Sequence, residues 1–390
     1  MVWAAVLGAD SPIGLTIIRE LGERGVKVLA VGRSADAIGR YSRFTTRFIA
    51  TDRPVAEFLP PLVREYRISA VLAFSEGHLL QLAALKDQLG NCRVLTPDAG
   101  QLATVLDKER TLAIAARLGM RVPVSWAPCE GEDFAQRAAE LDYPVAVKWA
   151  DPNGVAQRLR ESGLPLEKVE YAASADELTA ILRRYDPIQT WPLVQSWCPG
   201  QGLGQMMHIH TGEATLRFQH RRVREWPRSG GISSMCEGVS LDLHREQFAL
   251  SEKLLREIGW EGPAMVEYRH DAATNTYWLM EVNGRFWGSL PLAHHCGADF
   301  AWETWRCGMD LPRTEPRLRT RRARYMAPDL KHLVAVLADR TMPLADRLAF
   351  AARYLSEFAD PRMRYYVWSW RDPLPFLGSV VSAVRNVWHR

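Results

Sequence analysis

The sequence predicts a multidomain protein, α/β at its start and α+β through its middle, with a mainly helical extension at its carboxyl end. Three observations lead there. Over roughly the first 95 residues, short apolar runs alternate with helical stretches, the pattern of an open parallel sheet. From Pro123 to Gly284 the strand-like segments alternate apolar with polar residues, as antiparallel sheets with one covered face require. Past Pro312 the composition turns to arginine and aromatic residues, beginning with six Arg in RTEPRLRTRRAR. At about 150 residues per domain, 390 residues make two or three folded units.

In chain order, Val2 to Leu7 is an apolar run that stops at Gly8. GADSPIG then turns into the helical LTIIRELGERG, and VKVLAVG completes a βαβ unit. AVLAFS and RVLTP are two more strands, separated by the helical HLLQLAALKDQLG. DKERTLAIAARLGMRVP predicts a helix from Asp107 to Leu118, closed by Gly119 and stopped by Pro123. Strands are then expected at YPVAVKW, PLVQSWC, GQMMHIHT, EATLRFQHRR, AMVEYRHD and TYWLMEVNG, with helices near Ala175 to Arg184 and His244 to Ile258. Between Asp151 and Ala173 the sequence is polar and irregular, fitting a mobile lid and an exposed connection equally well. In the extension, ADRLAFAARYLSEF reads as a helix, RYYVWSWRDPLPFLG as an aromatic stretch and PFLGSVVSAVRNVW as an apolar-faced helix.

Composition narrows the function classes. The 47% hydrophobic and 24% charged content is that of a globular chain. A net charge of +4 is too mild to predict a nucleic-acid partner. The charge is uneven, however: from Arg313 onward 15 Lys or Arg stand against 7 Asp or Glu, a net +8, which leaves −4 for the rest. Six cysteines without a C-x-x-C pair read as scattered reduced thiols. No signal-peptide pattern follows Met1 and no run of about 18 uncharged apolar residues occurs, so a cytoplasmic location is expected. Arginine beside Trp and Tyr in the extension suits a membrane surface, and equally a neighbouring domain or a homodimer interface.

Two groups of residues could carry chemistry. The Gly8 to Gly14 turn, with Arg33 after the second strand, could hold the phosphates of NADP on helix-start amides. Against that reading, GADSPIG is not G-x-G-x-x-G, and no Y-x-x-x-K pair is present for hydride chemistry. The second group spans the middle of the chain. Lys108 opens a helix, Lys148 ends YPVAVK, Glu267 lies in AMVEYRHD, and Glu281 and Asn283 lie in LMEVNGR. Two lysines suit polyphosphate oxygens as point charges, and side chains at i and i+2 of a strand share one face, where oxygen donors suit Mg²⁺. Each residue alone would usually be solvated surface; Leu279, Met280 and Val282 around Glu281 and Asn283 argue against full solvation of both faces of that strand.

In this ordered set the sequence resembles the ATP-grasp superfamily, specifically its carboxylate-amine ligases related to carbamoyl-phosphate synthetase, over about residues 1 to 312. The carrying motifs are DKERT, YPVAVKW, LVQSWCPGQG, MVEYRHD and MEVNGRFWG, the last matching the M-E-x-N-x-R pattern closely. The resemblance implies a Rossmann-like preceding domain over 1–95, a linker helix and lid subdomain over 96–195, a catalytic subdomain over 196–312, and an added extension over 313–390.

It implies further that Lys108 and Lys148 contact ATP phosphates, and that Gln195, Ser196, Trp197 and Cys198 border the adenine. Glu267, Glu281 and Asn283 would hold one or two Mg²⁺, and Arg285 would lie by the transferred phosphoryl group. In QHRRVREWPRSGGISSM, the Gly230 and Gly231 turn would approach an anion, while His220, Arg221, Arg222 and Glu225 would meet a carboxylate and an amine, with Arg222 on the carboxylate. The lid carries only two glycines in DPNGVAQRLRESG, and Gly200 is not followed by an acid for the ribose. The implied reaction is ATP-dependent joining of a small-molecule carboxylate to an amine through an acyl phosphate. Its rivals are a nucleotide-binding protein without ligase activity and an NADP oxidoreductase. Trp226, Trp287 and His294 could line a pocket or fill a core.

Overall fold

The computed structural model describes residues 2–380 apart from Lys168 and Ser229. The first unit alternates β1 (Trp3–Leu7), α1 (Pro12–Gly22), β2 (Lys27–Gly32), β3 (Thr45–Ala50), α2 (Val55–Tyr66), β4 (Ile68–Leu72), α3 (Glu76–Leu85) and β5 (Arg93–Val94). Its strands form one parallel sheet in the order β3-β2-β1-β4-β5. β3 and α2 leave little trace in the sequence, for physical reasons. TTRFIA buries no side chain fully, and α2 carries Pro60 and Pro61 inside the helix. Both core strands β1 and β2 are covered on two faces, hence their unbroken apolar runs.

Two helices, α4 (Ala99–Leu106) and α5 (Lys108–Arg117), lead out of this sheet. Asp98 caps α4 in a reciprocal capping box with Gln101, and Asp107 caps α5 by accepting from the Arg110 amide at 2.9 Å. A small antiparallel sheet follows. It comprises β6 (Ser125–Trp126), α6 (Phe134–Ala139), β7 (Val145–Lys148), α7 (Pro152–Glu161), β8 (Glu170–Ala172), α8 (Ala175–Arg183) and β9 (Leu193–Ser196), with strand order β6-β9-β7-β8. The segment 151–173, irregular to the eye, thus folds as a helix and a strand.

The large sheet is built from β10 (Gln201–His210), β11 (Glu213–Trp226), β12 (Ile232–Gly238), β13 (Gly262–Asp271) and β14 (Thr276–Asn283). The helices α9 (Arg245–Glu257), α10 (Leu290–His295) and α11 (Phe300–Gly308) accompany it. Trp287 is fully buried in the core between α10, α11 and the first unit, and His294 is bonded to Asp299.

The extension is not the mainly helical one its composition suggests, but α/β. It does contain helices, α12 (Met326–Ala338) and α13 (Leu344–Ser356), but also two strands, β15 (Arg322–Arg324) and β16 (Met363–Tyr365). These complete a seven-stranded sheet ordered β14-β13-β10-β11-β12-β15-β16. Of the Arg-rich run, Arg324 is therefore wholly buried. Asp372 latches the tail to the first unit: it accepts from Arg19 Nε at 3.0 Å, Ser42 Oγ at 2.7 Å and the Arg43 amide at 2.9 Å. The expected apolar-faced helix runs past Val380, and that part lies outside the described residues. No helix of the described residues is long and apolar enough to cross a membrane.

Candidate active site

The two acidic strands lie side by side. Glu267 on β13 pairs in register with Glu281 on β14, so their carboxylates share one face and would repel each other if nothing intervened. Cations intervene. Lys108, the first residue of α5, places Nζ 3.7 Å from Glu281 Oε2, at the positive end of the helix. Arg222 on β11 places Nη2 2.6 Å from Glu267 Oε1. Asn283 donates from Nδ2 to Glu281 Oε1 at 3.0 Å, which shows that the i and i+2 residues of β14 do face one way.

Electrostatics tie Lys148 into the same group. Burial lowers its pKa, neighbouring Lys108 pushes the same way, and Glu281, Glu267 and the Cys198 thiol oppose them. For Glu281, burial alone would raise the carboxyl; Lys108, the Asn283 amide, Lys148 and Arg222 overcome it and hold the group down to about 2. The carboxylate is charged throughout the neutral range while its side chain stays 32% exposed. Lys148 belongs to the small sheet and Glu281 to the large one, so the two sheets face each other across this cleft.

Arg222 crosses the sheet to reach Glu267 because the strand between them is cleared of side chains. A Cβ at Gly202 would lie 2.5 Å from Arg222 Cδ, and one at Gly204 would lie 2.5 Å from His220 Nε2. The alternate glycines of GQGLGQ were the available sequence signal for this. The remaining basic run separates by strand alternation. Arg221 faces away and pairs with Glu237 at 2.8 Å. His220 is buried, and burial followed by the Arg222 charge pushes its pKa down to about 3, so it is neutral and no anion receptor. The Arg222 fork is not turned to solvent: besides Glu267 it holds Glu225 Oε1 at 3.0 Å and the Gly231 carbonyl at 3.2 Å. Arg269 approaches Glu225 from the other side at 3.7 Å.

The Gly230–Gly231 turn joins β11 to β12. A Cβ on Gly231 would sit 2.1 Å from the Trp226 carbonyl, and Gly230 adopts φ +130°, so both positions require glycine. Tyr171 of β8 reaches this turn, its hydroxyl 2.9 Å from where a Gly230 Cβ would stand. Tyr171, Arg269 and the glycine pair 202 and 204 carry no sequence motif that marks them as site residues, whereas Glu225 is expected there beside Arg222.

The Gln195–Cys198 segment separates likewise. Gln195 is buried and donates to Ser125 Oγ at 2.8 Å, and the Ser196 amide and hydroxyl are both spent on Val124. Trp197 is 46% exposed, whereas the Cys198 side chain is buried beside Lys148. Arg285 is engaged with the first unit. Its Nε donates to Glu76 Oε1 at 3.1 Å, at the first turn of α3 in the first unit. In the Gly8 turn, Asp10 accepts from the Arg33 and Ser34 amides at 2.8 and 3.2 Å, and Ser11 Oγ takes the Gly14 amide at 3.1 Å. A carboxylate thus occupies the place where a cofactor phosphate would need cations, which argues against NADP there.

No family model matches the chain. Among curated proteins it is similar to biotin carboxylase of Haemophilus influenzae, 20% identical over 338 residues that cover 80% of this chain and 71% of that one. It is also 21% identical to the carbamoyl phosphate synthase large chain of Sulfurisphaera tokodaii over 249 residues, 60% of this chain and 21% of that much longer protein. Among solved structures, N5-carboxyaminoimidazole synthetase from Staphylococcus aureus complexed with ADP superposes with a TM-score of 0.64 at 14% identity, covering 82% of this chain and 81% of that one. The biotin carboxylase domain of Hydrogenobacter thermophilus 2-oxoglutarate carboxylase, solved with MgADP and bicarbonate, gives 0.63 at 15%, covering 81% and 72%. The chain has the ATP-grasp fold.

Proposed function

We propose that this chain is an ATP-dependent ligase that activates a small-molecule carboxylate as an acyl phosphate and joins it to an amine, releasing ADP and phosphate. The observation that carries the reading is the meeting of Lys108, Lys148, Glu267 and Glu281 in one cleft, with Glu281 kept ionised. The donor set fits Mg²⁺: two carboxylates in cross-strand register with an amide oxygen two residues on are hard ligands, and nearby cations fit the phosphates around a bound ion. Glu267, Glu281 and Asn283 would hold Mg²⁺, which when bound would screen the triphosphate from the incoming carboxylate.

The chain's own residues do the rest. Lys108 and Lys148 receive phosphate oxygens, and Trp197 with Cys198 offers backbone groups to the adenine edge. Arg222 positions Glu267 and, with the Gly230–Gly231 turn, faces the substrate side; a substrate carboxylate there competes with Glu225 for the fork, and Arg269 is placed to take Glu225. Arg285 is assigned to the transferred phosphoryl group, released from Glu76 as the site fills. Tyr171 at the Gly230 turn brings the small sheet over the cleft and excludes water from an acyl phosphate.

The test is a screen of amino acids and small carboxylates for ADP formation. ADP release that needs both a carboxylate and an amine supports the ligase. Nucleotide uptake with no such release supports a binding protein instead.

A further inference from the structure

The α12–α13 hairpin packs one side on the large sheet, through Val336, Asp329 and Tyr354, and its other side is left uncovered among the described residues. Leu330, Val334 and Leu337, at i, i+4 and i+7 of α12, are 51, 57 and 40% exposed. Leu344, Leu348 and Leu355 repeat along α13 at 61, 57 and 65%, and Phe358 follows at 45%. Of the 21 large apolar side chains exposed among the described residues, 11 lie between Leu330 and Val380. Isolated exposed leucines need no explanation, but two helical stripes on adjacent helices do.

The charges around these stripes decide what would cover them. Lys331, Arg340 and Arg353 are exposed, whereas the acids are withdrawn: Asp329 and Glu357 are buried on arginines, and Asp339 is held by Arg228 at 2.7 Å. Asp346 is the one acid of the hairpin left exposed among the described residues. A second copy of this chain would bring a face of the same net positive charge against this one. An anionic lipid surface answers both features, taking the leucines below the headgroups and the lysine and arginines at their level.

We propose that the α12–α13 face is a docking surface for anionic membrane. This rests on the extension alone and stands or falls independently of the ligase reading. The experiment is co-sedimentation of the full chain with phosphatidylcholine vesicles with and without phosphatidylserine. Pelleting is expected with phosphatidylserine, at least about tenfold weaker without it, and falling as salt is raised. The sets Val334→Glu/Leu348→Glu/Leu355→Glu and Lys331→Glu/Arg340→Glu/Arg353→Glu should each abolish pelleting while circular dichroism and the unfolding midpoint stay near the parent's. A parent protein that remains in the supernatant, or pelleting that survives both sets, overturns the proposal. So does light scattering that shows a dimer dispersed by the leucine substitutions with no lipid binding, since the face then belongs to a second copy.

Discussion

Arg222 and Arg224 stand two residues apart in β11 and serve opposite ends. In a regular strand they would share a face. The pairing of β11 with β12 shifts register between Arg222 and Arg224 and again before Glu225, and these irregularities send Arg222 toward the acidic pair of the cleft and Arg224 toward the tail. There Arg224 forks onto Asp329 at 2.8 and 2.9 Å and onto Glu357 at 3.0 and 2.8 Å, while Arg324 meets the same two acids at 3.0 and 2.5 Å, lying 4.3 Å from the Tyr354 ring centroid. Two arginines and two acids close on themselves with Asp329 and Arg324 at zero exposure. The cleft has the same residue types with Glu281 still 32% exposed and two lysines crowded together. The tail cluster balances two guanidiniums with two carboxylates away from water and so holds structure, although Arg324 Nη1 finds no hydrogen-bond partner among the described residues; the cleft, with charge beside solvent, is ready for a ligand.

Substitutions should separate the two. The largest expected effect is on the closed cluster. Asp329→Ala strands two buried guanidiniums, at a cost of about 3–5 kcal/mol, read from urea unfolding. Glu281→Gln removes a charge its neighbours stabilise and should cost some stability, but less than Asp329→Ala because the carboxylate is 32% exposed. Lys148→Met removes a cation that burial already disfavours and should leave the midpoint nearly unchanged. Each should lower ADP release by about 10²–10³-fold, the range for losing one preorganised charged group. If Asp329→Ala unfolds no more readily than Glu281→Gln, the contrast fails.

Much of the cleft was legible because its chemistry sits in short ordered motifs: Lys108 at a helix start, Lys148 at a strand end, Glu281 and Asn283 at i and i+2. The parallel sheet was legible because buried strands read as apolar runs. What escaped depends on long-range contact. Nothing local in RTRRAR says that Arg324 will pair with Asp329 and become core, and nothing in α3 says that Glu76 will meet Arg285. Gly202 and Gly204 were visible, yet their purpose depends on side chains from the neighbouring strand.

A third cluster lies between the two types. Glu20 of α1 is fully buried; Oε2 accepts from the Ala301 and Trp302 amides at 2.7 and 3.0 Å, and Oε1 lies 3.8 Å from His294 Nδ1. Burial first, then the Asp299 charge, pushes its carboxyl up from 4.5 to about 8, and His294 is also shifted upward. Groups with raised folded pKa stabilise fully below their unfolded values and lose that contribution as pH rises through the folded ones. Stability should therefore decline between about pH 5 and 8, by at most about 1.4 kcal/mol per unit for each group. Glu20→Gln should flatten the slope that belongs to Glu20 in urea titrations across that window. An equal slope in the variant would assign the decline elsewhere.

The smallest effect should come from Glu76, and it bears directly on how the cleft works. The Arg285–Glu76 pair is 25 and 32% exposed, so Glu76→Gln should cost under about 1 kcal/mol of stability. If Glu76 merely anchors the first unit, kinetics should not move. If it parks Arg285 until substrate arrives, removing it frees the guanidinium in the resting state, and KM for ATP should fall while kcat holds. Arg285→Lys, which keeps the charge but loses the fork, should lower kcat in the second case and leave it alone in the first. Together the two variants decide whether this ion pair belongs with the closed cluster of the tail or with the open one beside Glu281.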